Sequence, residues 1–499
     1  MSNVAAALNA IKRGPQGPQV GAFFDFDGTL IEGYSALVYL KKRLREGDMG
    51  LVELFNTLRT PFRQDVDEAA FAELFSEFAK TLAGNTEDDV RAMWFGLFHS
   101  SIASSMFFEG YELVRAHLRA GHTVAIASSA TKYQIEALAE EYGIEHILAT
   151  ELEVKRGVLN GNLCGQPLWG VNKATAVSKF AKTKKIKLSQ SYGYANGRED
   201  IAFLTVTAKP HMVNPHPELR KHGIANAWPE LQFAPRKRAS IKAVAGTVGA
   251  YSAMAATMFA GMAYNKLYKE PRRAADMVGS IGTELGLAIA GIKVNIVNEH
   301  KLWEHRPAVF ILNHQSKLDF FLFYNIIRRE LTGVVKKEAE NVPIIGPFLK
   351  MAEMSFLDRS NSKRAIEALQ PAVDRLRRGL SVAISPEGTR SYTPRVGEFK
   401  KGAFHIARQA GVPIIPVVIR NAGELMWRED NAMRAGTVDI CVLDAIDVCA
   451  WPEDSLAENI AKVRQQFVDT LENWPQPVGA VASESSLTLK AVGDAKSTS

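Results

Sequence analysis

The chain has 499 residues, 46% of them hydrophobic and 23% charged, enough for two or three domains with cores of their own. A mean hydropathy of −0.08 excludes a polytopic membrane protein, and a net charge of +6 with a pI of about 9.0 favours anionic partners over cationic ones. Three cysteines, Cys164, Cys441 and Cys449, show neither CxxC nor metal spacing and read as reduced residues of a cytosolic setting.

Residues 1–19 have no charged leader or cleavage site, so a secretory signal is not expected there; they read as a flexible leader ending at a Pro/Gly cluster. The apolar run 20–24 predicts a buried strand that ends in Asp25-Phe26-Asp27-Gly28-Thr29-Leu30. Carboxylates at i and i+2 leave a strand end on the same side, and Gly28 permits a tight turn. Hard oxygen ligands in this arrangement suit Mg²⁺ bound together with a substrate phosphate. DFDGTL after an apolar strand resembles the haloacid dehalogenase-like (HAD-like) hydrolases, in their phosphoserine-phosphatase-like branch. That resemblance implies a Rossmann-like α/β domain in which Asp25 is the nucleophile that forms an aspartyl phosphate and Asp27 the general acid/base.

Residues 33–105 are helical in pattern and stand where that family carries a helical cap. A helix over 110–120 and a strand over 123–127 follow, and the strand delivers Ser128. A hydroxyl between a strand end and a helix start can hold a phosphate oxygen. The resemblance gives this part to Ser128, and gives Lys173 the neutralisation of phosphate and nucleophile. The next motif departs from the family. Its GDxxxD loop is replaced by Tyr194-Ala195-Asn196-Gly197-Arg198-Glu199-Asp200, with Asp200 in the second acidic place and Asn196 where the main metal-ligating aspartate is expected. The implied Mg²⁺ set is therefore Asp25, Asp27, Asn196 and Asp200. An amide brings no charge, so affinity should fall; either Glu199 compensates or the hydrolase is feeble, and both readings stand. The resemblance covers 20–233.

Residues 234–298 read as a basic linker, 234–238, followed by apolar helices. No charge occurs from 243 to 265, long enough to cross a bilayer, but basic residues flank the run on both sides and give it no orientation. A second, weaker apolar segment, 277–297, contains Glu284 and Lys293. A helical pair lying in one leaflet, its basic ends on anionic headgroups, is one reading; buried helices packed on the next domain are the other.

From 299 to 475, strands and helices alternate, which predicts an α/β domain with functional groups at strand ends. The apolar run 308–312 leads into Asn313-His314-Gln315-Ser316-Lys317-Leu318-Asp319, where a carboxylate five residues on can turn back to the imidazole and fix its tautomer. Lys336-Lys337-Glu338, Phe356-Leu357-Asp358-Arg359, Ser385-Pro386-Glu387-Gly388-Thr389-Arg390-Ser391 and Val412-Pro413-Ile414-Ile415-Pro416 follow in that order. A helix is predicted over 362–378, a strand over 381–384, a strand over 436–443 and a helix over 455–472 with Ser455 as N-cap. Taken together, 300–425 resembles the glycerolipid acyltransferases of the PlsC type. The resemblance implies acyl transfer from acyl-CoA or acyl carrier protein to lysophosphatidic acid, with His314 as base and Asp319 behind it. It implies that Arg359 and Arg390 clamp the acceptor phosphate and that Lys337 adds charge. Gly388 lets backbone approach the substrate, Glu387 orients the arginines or the glycerol, and Thr389 belongs to the same substrate-binding run. Residues 476–499 read as a disordered tail. The expected architecture is thus a two-domain α/β lipid enzyme on the cytoplasmic side of a membrane, peripheral or monotopic. Basic residues are not interleaved with aromatics, and no nucleic-acid partner is expected.

Overall fold

The structure, a computed structural model, describes residues 3–47, 68–236, 239–342, 345–357, 369–428 and 430–475. The chain divides into two compact units, Met1–Arg238 and Ala239–Ser499.

The first unit is built on β1 (Gly21–Phe24), β2 (Thr123–Thr131), β3 (His146–Thr150), the hairpin β4 (Leu152–Lys155) and β5 (Val158–Leu163), β6 (Tyr192–Ala195), β7 (Lys209–Val213) and β8 (Glu230–Leu231). Its main sheet runs β3-β2-β1-β6-β7-β8, all parallel, with β1 central. Phe24 is level with Ile126 and Tyr194, so the chain just beyond β1 is flanked by Ser128 and Asn196. The helices Ser35–Glu46, Glu68–Lys80 and Glu87–Ser100 fall in the stretch read as a cap, part of which (48–67) lies outside the described residues. The flexible leader is corrected: Asn3–Arg13 is a helix. Val4, Ala7 and Ile11 recur at helical spacing and are buried, while Asn3 donates to the Glu230 carbonyl. β2 also runs four residues further than expected. A register shift against β3 after Ala127 carries Ser128 inside the strand, and the helix begins only at the Thr131–Gln134 capping box.

The second unit adds β9 (Ile292–Val297), β10 (Val309–Leu312), β11 (Leu331–Lys336), β12 (Ser355–Leu357), β13 (Ser381–Ile384), β14 (Ile414–Ile419) and β15 (Gly436–Val442). The order is β12-β11-β13-β10-β14-β15-β9, parallel throughout except where β14 meets β15. The apolar segment 277–297 is not one helix. The helix Pro271–Ala290 ends at Gly291, whose φ of +71° gives a left-handed cap, and the chain turns into β9 beside β15. This helix is pressed between two others. A Cβ at Gly282 would meet Thr257 and Met254 of the preceding helix, Ile241–Tyr268, and one at Gly279 or Gly286 would meet Tyr324 or Phe321 of Asp319–Ile327. The Ile241–Tyr268 helix is long and apolar enough to cross a membrane. It leaves Val248, Phe259 and Met262 exposed, and its neighbour exposes Ile281, Leu285 and Ile289. The first helix packs along the second, the second packs on the domain, and both leave apolar side chains exposed. The helix Leu456–Glu472 forms where expected, although the Ser455 hydroxyl donates to the Pro452 carbonyl (3.1 Å) instead of capping it. The tail, 476–499, lies outside the described residues.

Candidate active sites

In the second unit the functional loops leave the C-terminal ends of adjacent parallel strands, the usual place for a ligand crevice in such sheets. Ile311 of β10 pairs with Ile384 of β13, so His314 and Glu387, each three residues further on, emerge side by side. Asn313 anchors the first loop: its amide donates to the Ile419 carbonyl and accepts from the Ile419 N–H, both at 2.7 Å. His314 Nδ1 lies 2.7 Å from Asp319 Oδ2, and that oxygen also accepts the N–H groups of Gln315 (2.9 Å) and Ser316 (3.0 Å). The Asp319 side chain is 2% exposed and that of His314 31%. A buried, thrice-bonded carboxylate thus holds Nδ1 as the donor and leaves Nε2 as the basic nitrogen of a ring reachable from outside.

Glu387 is a strut between loops: one carboxylate oxygen accepts the His314 N–H (2.7 Å) and the other that of Gly397 (2.6 Å). The Ser391 N–H donates to the His314 carbonyl (2.8 Å), closing the EGTRS run onto the histidine. Gly388 sits at φ +71° with the Lys400 side chain laid across it. Thr389 is exposed, and Arg390 Nη1 donates to the Arg428 carbonyl (2.5 Å). Lys337 is exposed past the end of β11, with β13 between that strand and β10. Arg359 lies outside the described residues. Sequence reasoning missed Asn313 as a clamp and the loop 426–431, to which Ser316 donates through its hydroxyl (Met426 carbonyl) and Lys317 through its ammonium (Asn431). The asparagine belonged to a motif already quoted; the loop follows its last strand and carried no pattern.

In the first unit Lys173, third residue of the helix Val171–Lys184, is buried, with Nζ 2.9 Å from Asp25 Oδ1 and 2.5 Å from Asp200 Oδ1. Burial works against the ammonium, but Asp200 and Asp25 overcome it and raise its pKa. Burial pushes Asp25 up to about 6 against the pull of Lys173. Burial, with Asp25 adding to it, pushes Asp27 up to about 7 although it accepts the Ser35 N–H (2.7 Å) and hydroxyl (3.1 Å). Glu199 rises to about 7 through burial and the neighbouring Asp200. Ser128 is buried, its Oγ accepting the Ala130 N–H (3.2 Å). Asn196 Oδ1 accepts from Thr29 (3.1 Å), and its amide lies where a Cβ on Gly28 (φ +76°) would stand, 2.2 Å away.

The four residues expected around Mg²⁺ are not assembled as one ligand set. Asp200 is taken by Lys173 and the Gly197 N–H, Asp27 faces Ser35, and Asn196 is neutral. Among the described residues no group of three or more His, Cys, Asp or Glu side chains is arranged to hold a metal ion. The donor set therefore does not fit the group, and no step is routed through it. What the arrangement does offer is a carboxylate nucleophile against an ammonium and, in Asp27, an acid/base group that titrates near neutral pH.

Comparison with known proteins agrees with this division. Residues 22–205 match the haloacid dehalogenase-like hydrolase model and residues 293–420 the acyltransferase model. The 1-acyl-sn-glycerol-3-phosphate acyltransferase of Saccharomyces cerevisiae is 36% identical over 185 residues, covering 36% of this chain and 61% of the yeast protein. That of Cocos nucifera is 30% identical over 208 residues, covering 41% of this chain and 67% of the plant protein. The crystal structure of the PlsC acyltransferase from Thermotoga maritima superposes with a TM-score of 0.41 at 22% identity, over 47% of this chain and 99% of that one. The chain belongs to the 1-acyl-sn-glycerol-3-phosphate acyltransferase family, and it carries a HAD-like hydrolase domain ahead of the acyltransferase domain.

Proposed function

We propose that the protein moves a fatty acyl chain from acyl-CoA or acyl carrier protein to the free hydroxyl of 1-acyl-sn-glycerol 3-phosphate, making phosphatidic acid. The observation that carries this reading is the 2.7 Å contact of a half-open His314 with buried Asp319 at a strand-end crevice. His314 Nε2 takes the proton of the acceptor hydroxyl as its oxygen attacks the thioester carbonyl. The tetrahedral intermediate collapses with cleavage of the C–S bond, and the proton passes to the departing thiolate. Arg390, with Arg359 and Lys337, holds the acceptor phosphate; Gly388 and Thr389 line its approach, and Glu387 keeps their loop against His314. The open apolar face of the Ile241–Tyr268 helix and its basic flanks support docking on the cytoplasmic face of an anionic membrane, where acceptor and product reside. An assay on membranes comparing glycerol 3-phosphate with lysophosphatidic acid tests the reading; acylation of glycerol 3-phosphate alone contradicts it.

For the first unit, Asn196 and the double engagement of Lys173 favour a second reading, a phosphate-binding module with weak hydrolysis over a fast Mg²⁺-dependent phosphatase. Hydrolysis of small phosphomonoesters in the presence of Mg²⁺, with Asp25→Asn as control, separates the two. A high rate abolished by the substitution restores the phosphatase.

A further inference from the structure

We propose that Arg428 is a further guanidinium of the acceptor's phosphate seat, acting beside Arg390. The proposal rests on reading the second unit as an acyltransferase with a phosphorylated acceptor. Arg428 lies beyond β14, outside every motif that carried the family resemblance, yet the fold sets it at the catalytic loop. Its guanidinium donates through Nη1 to the Arg390 carbonyl, while Arg390 Nη1 donates to the Arg428 carbonyl (2.5 Å). This reciprocal pair fixes two cations on neighbouring backbone. The residue after Arg390 donates its N–H to the His314 carbonyl (2.8 Å), so the backbone that carries Arg390 is tied directly to that of the catalytic histidine.

Two further contacts set the plane and position of the Arg428 guanidinium. Its carbon stands 3.9 Å from the Tyr392 ring centroid, and Nη2 lies 3.5 Å from the Thr389 hydroxyl. From the histidine side, Lys317 Nζ reaches Asn431 Oδ1 (2.5 Å) and Ser316 donates to the Met426 carbonyl, bracing the loop that carries Arg428. Holding like charges together is unfavourable by itself, and a doubly charged phosphate, with three acceptor oxygens, reverses the sign. The acceptor supplies such a phosphomonoester, and the hydroxyl to be acylated belongs at the adjoining His314.

The test uses the full chain as wild type, Arg428→Gln and Arg428→Lys. Initial rates are measured with lysophosphatidic acid and acyl-CoA varied separately, and with a phosphate-free monoacylglycerol as a third substrate. The expected result is a KM for lysophosphatidic acid raised about tenfold or more in Arg428→Gln, a KM for acyl-CoA within about twofold, and partial recovery in Arg428→Lys. Unchanged KM values, or an equal loss with the monoacylglycerol, overturn the proposal. A rise confined to acyl-CoA overturns the acceptor assignment and gives the seat to the donor's phosphates. Should Arg428→Gln fail to fold, the KM of Arg428→Lys decides. Failure of the underlying reading shows differently: the wild type itself then transfers no acyl chain to lysophosphatidic acid.

Discussion

The two units place charged groups at the ends of parallel strands in opposite ways. In the second, one oxygen of the buried Asp319 carboxylate takes three hydrogen bonds, one of them from an imidazole that stays reachable from outside. In the first, four carboxylates crowd around one lysine, and Asp25, Asp27 and Glu199 are all held above their ordinary pKa range by burial, with Coulomb repulsion from acidic neighbours adding to it. The second centre is prepared for proton transfer as it stands. The first crowds acidic groups together, and its one lysine offsets their burial and repulsion only in part. A complete catalytic motif and an altered one thus differ in charge balance more than in fold.

The largest effect should fall on the complete centre. Asp319→Asn keeps the shape but removes the anion that stabilises an imidazolium, and kcat should drop about 10²- to 10⁴-fold with KM little changed, measured as acyl transfer. An undiminished kcat would erase the contrast. Next, Lys173→Met leaves Asp25 and Asp200 buried without their cation, and the first unit should lose about 3–5 kcal/mol in denaturant unfolding while acyl transfer persists at low denaturant. Smaller is Gly388→Ala in the second unit: φ of +71° and the overlying Lys400 strain the new side chain, so stability should fall by about 1–2 kcal/mol.

The smallest effect is a pH slope. Asp27 is raised in the folded state to about 7, above its unfolded value, so between about 4 and 7 the folded state binds more protons than the unfolded one. Stability from this group is present at acid pH and is lost as pH climbs through 7. Asp27→Asn should therefore flatten the decline of the first unit's unfolding midpoint between pH 5 and 8. A wild-type midpoint that rises over that range would show the charge surplus to be compensated.

Much of this was legible because local pattern and chemistry coincide. An apolar run ahead of DFDGTL, or of NHQSKLD, specifies both a central strand and the side that its polar residues leave, and both central strands formed within one residue of expectation. Tertiary context hid the rest. The helix Asn3–Arg13 has alanines where a reader looks for stronger apolar signals, and the surface it covers is supplied by distant elements, among them β8 and the helix Phe108–Arg119. The segment 277–297 is weakly apolar on both sides of Gly291, so composition alone missed the break that Gly291 makes between helix and edge strand. Arg428 gave no sign because its role depends on a reciprocal bond with a residue 38 positions away.

The central claim, that His314 is the base of acyl transfer to a phosphorylated glycerolipid, is tested most directly by His314→Ala in the full chain with lysophosphatidic acid and acyl-CoA. The expected result is phosphatidic acid from the wild type and a rate lower by about three orders of magnitude or more in the variant, with its fold intact. Equal rates from the two proteins would contradict it.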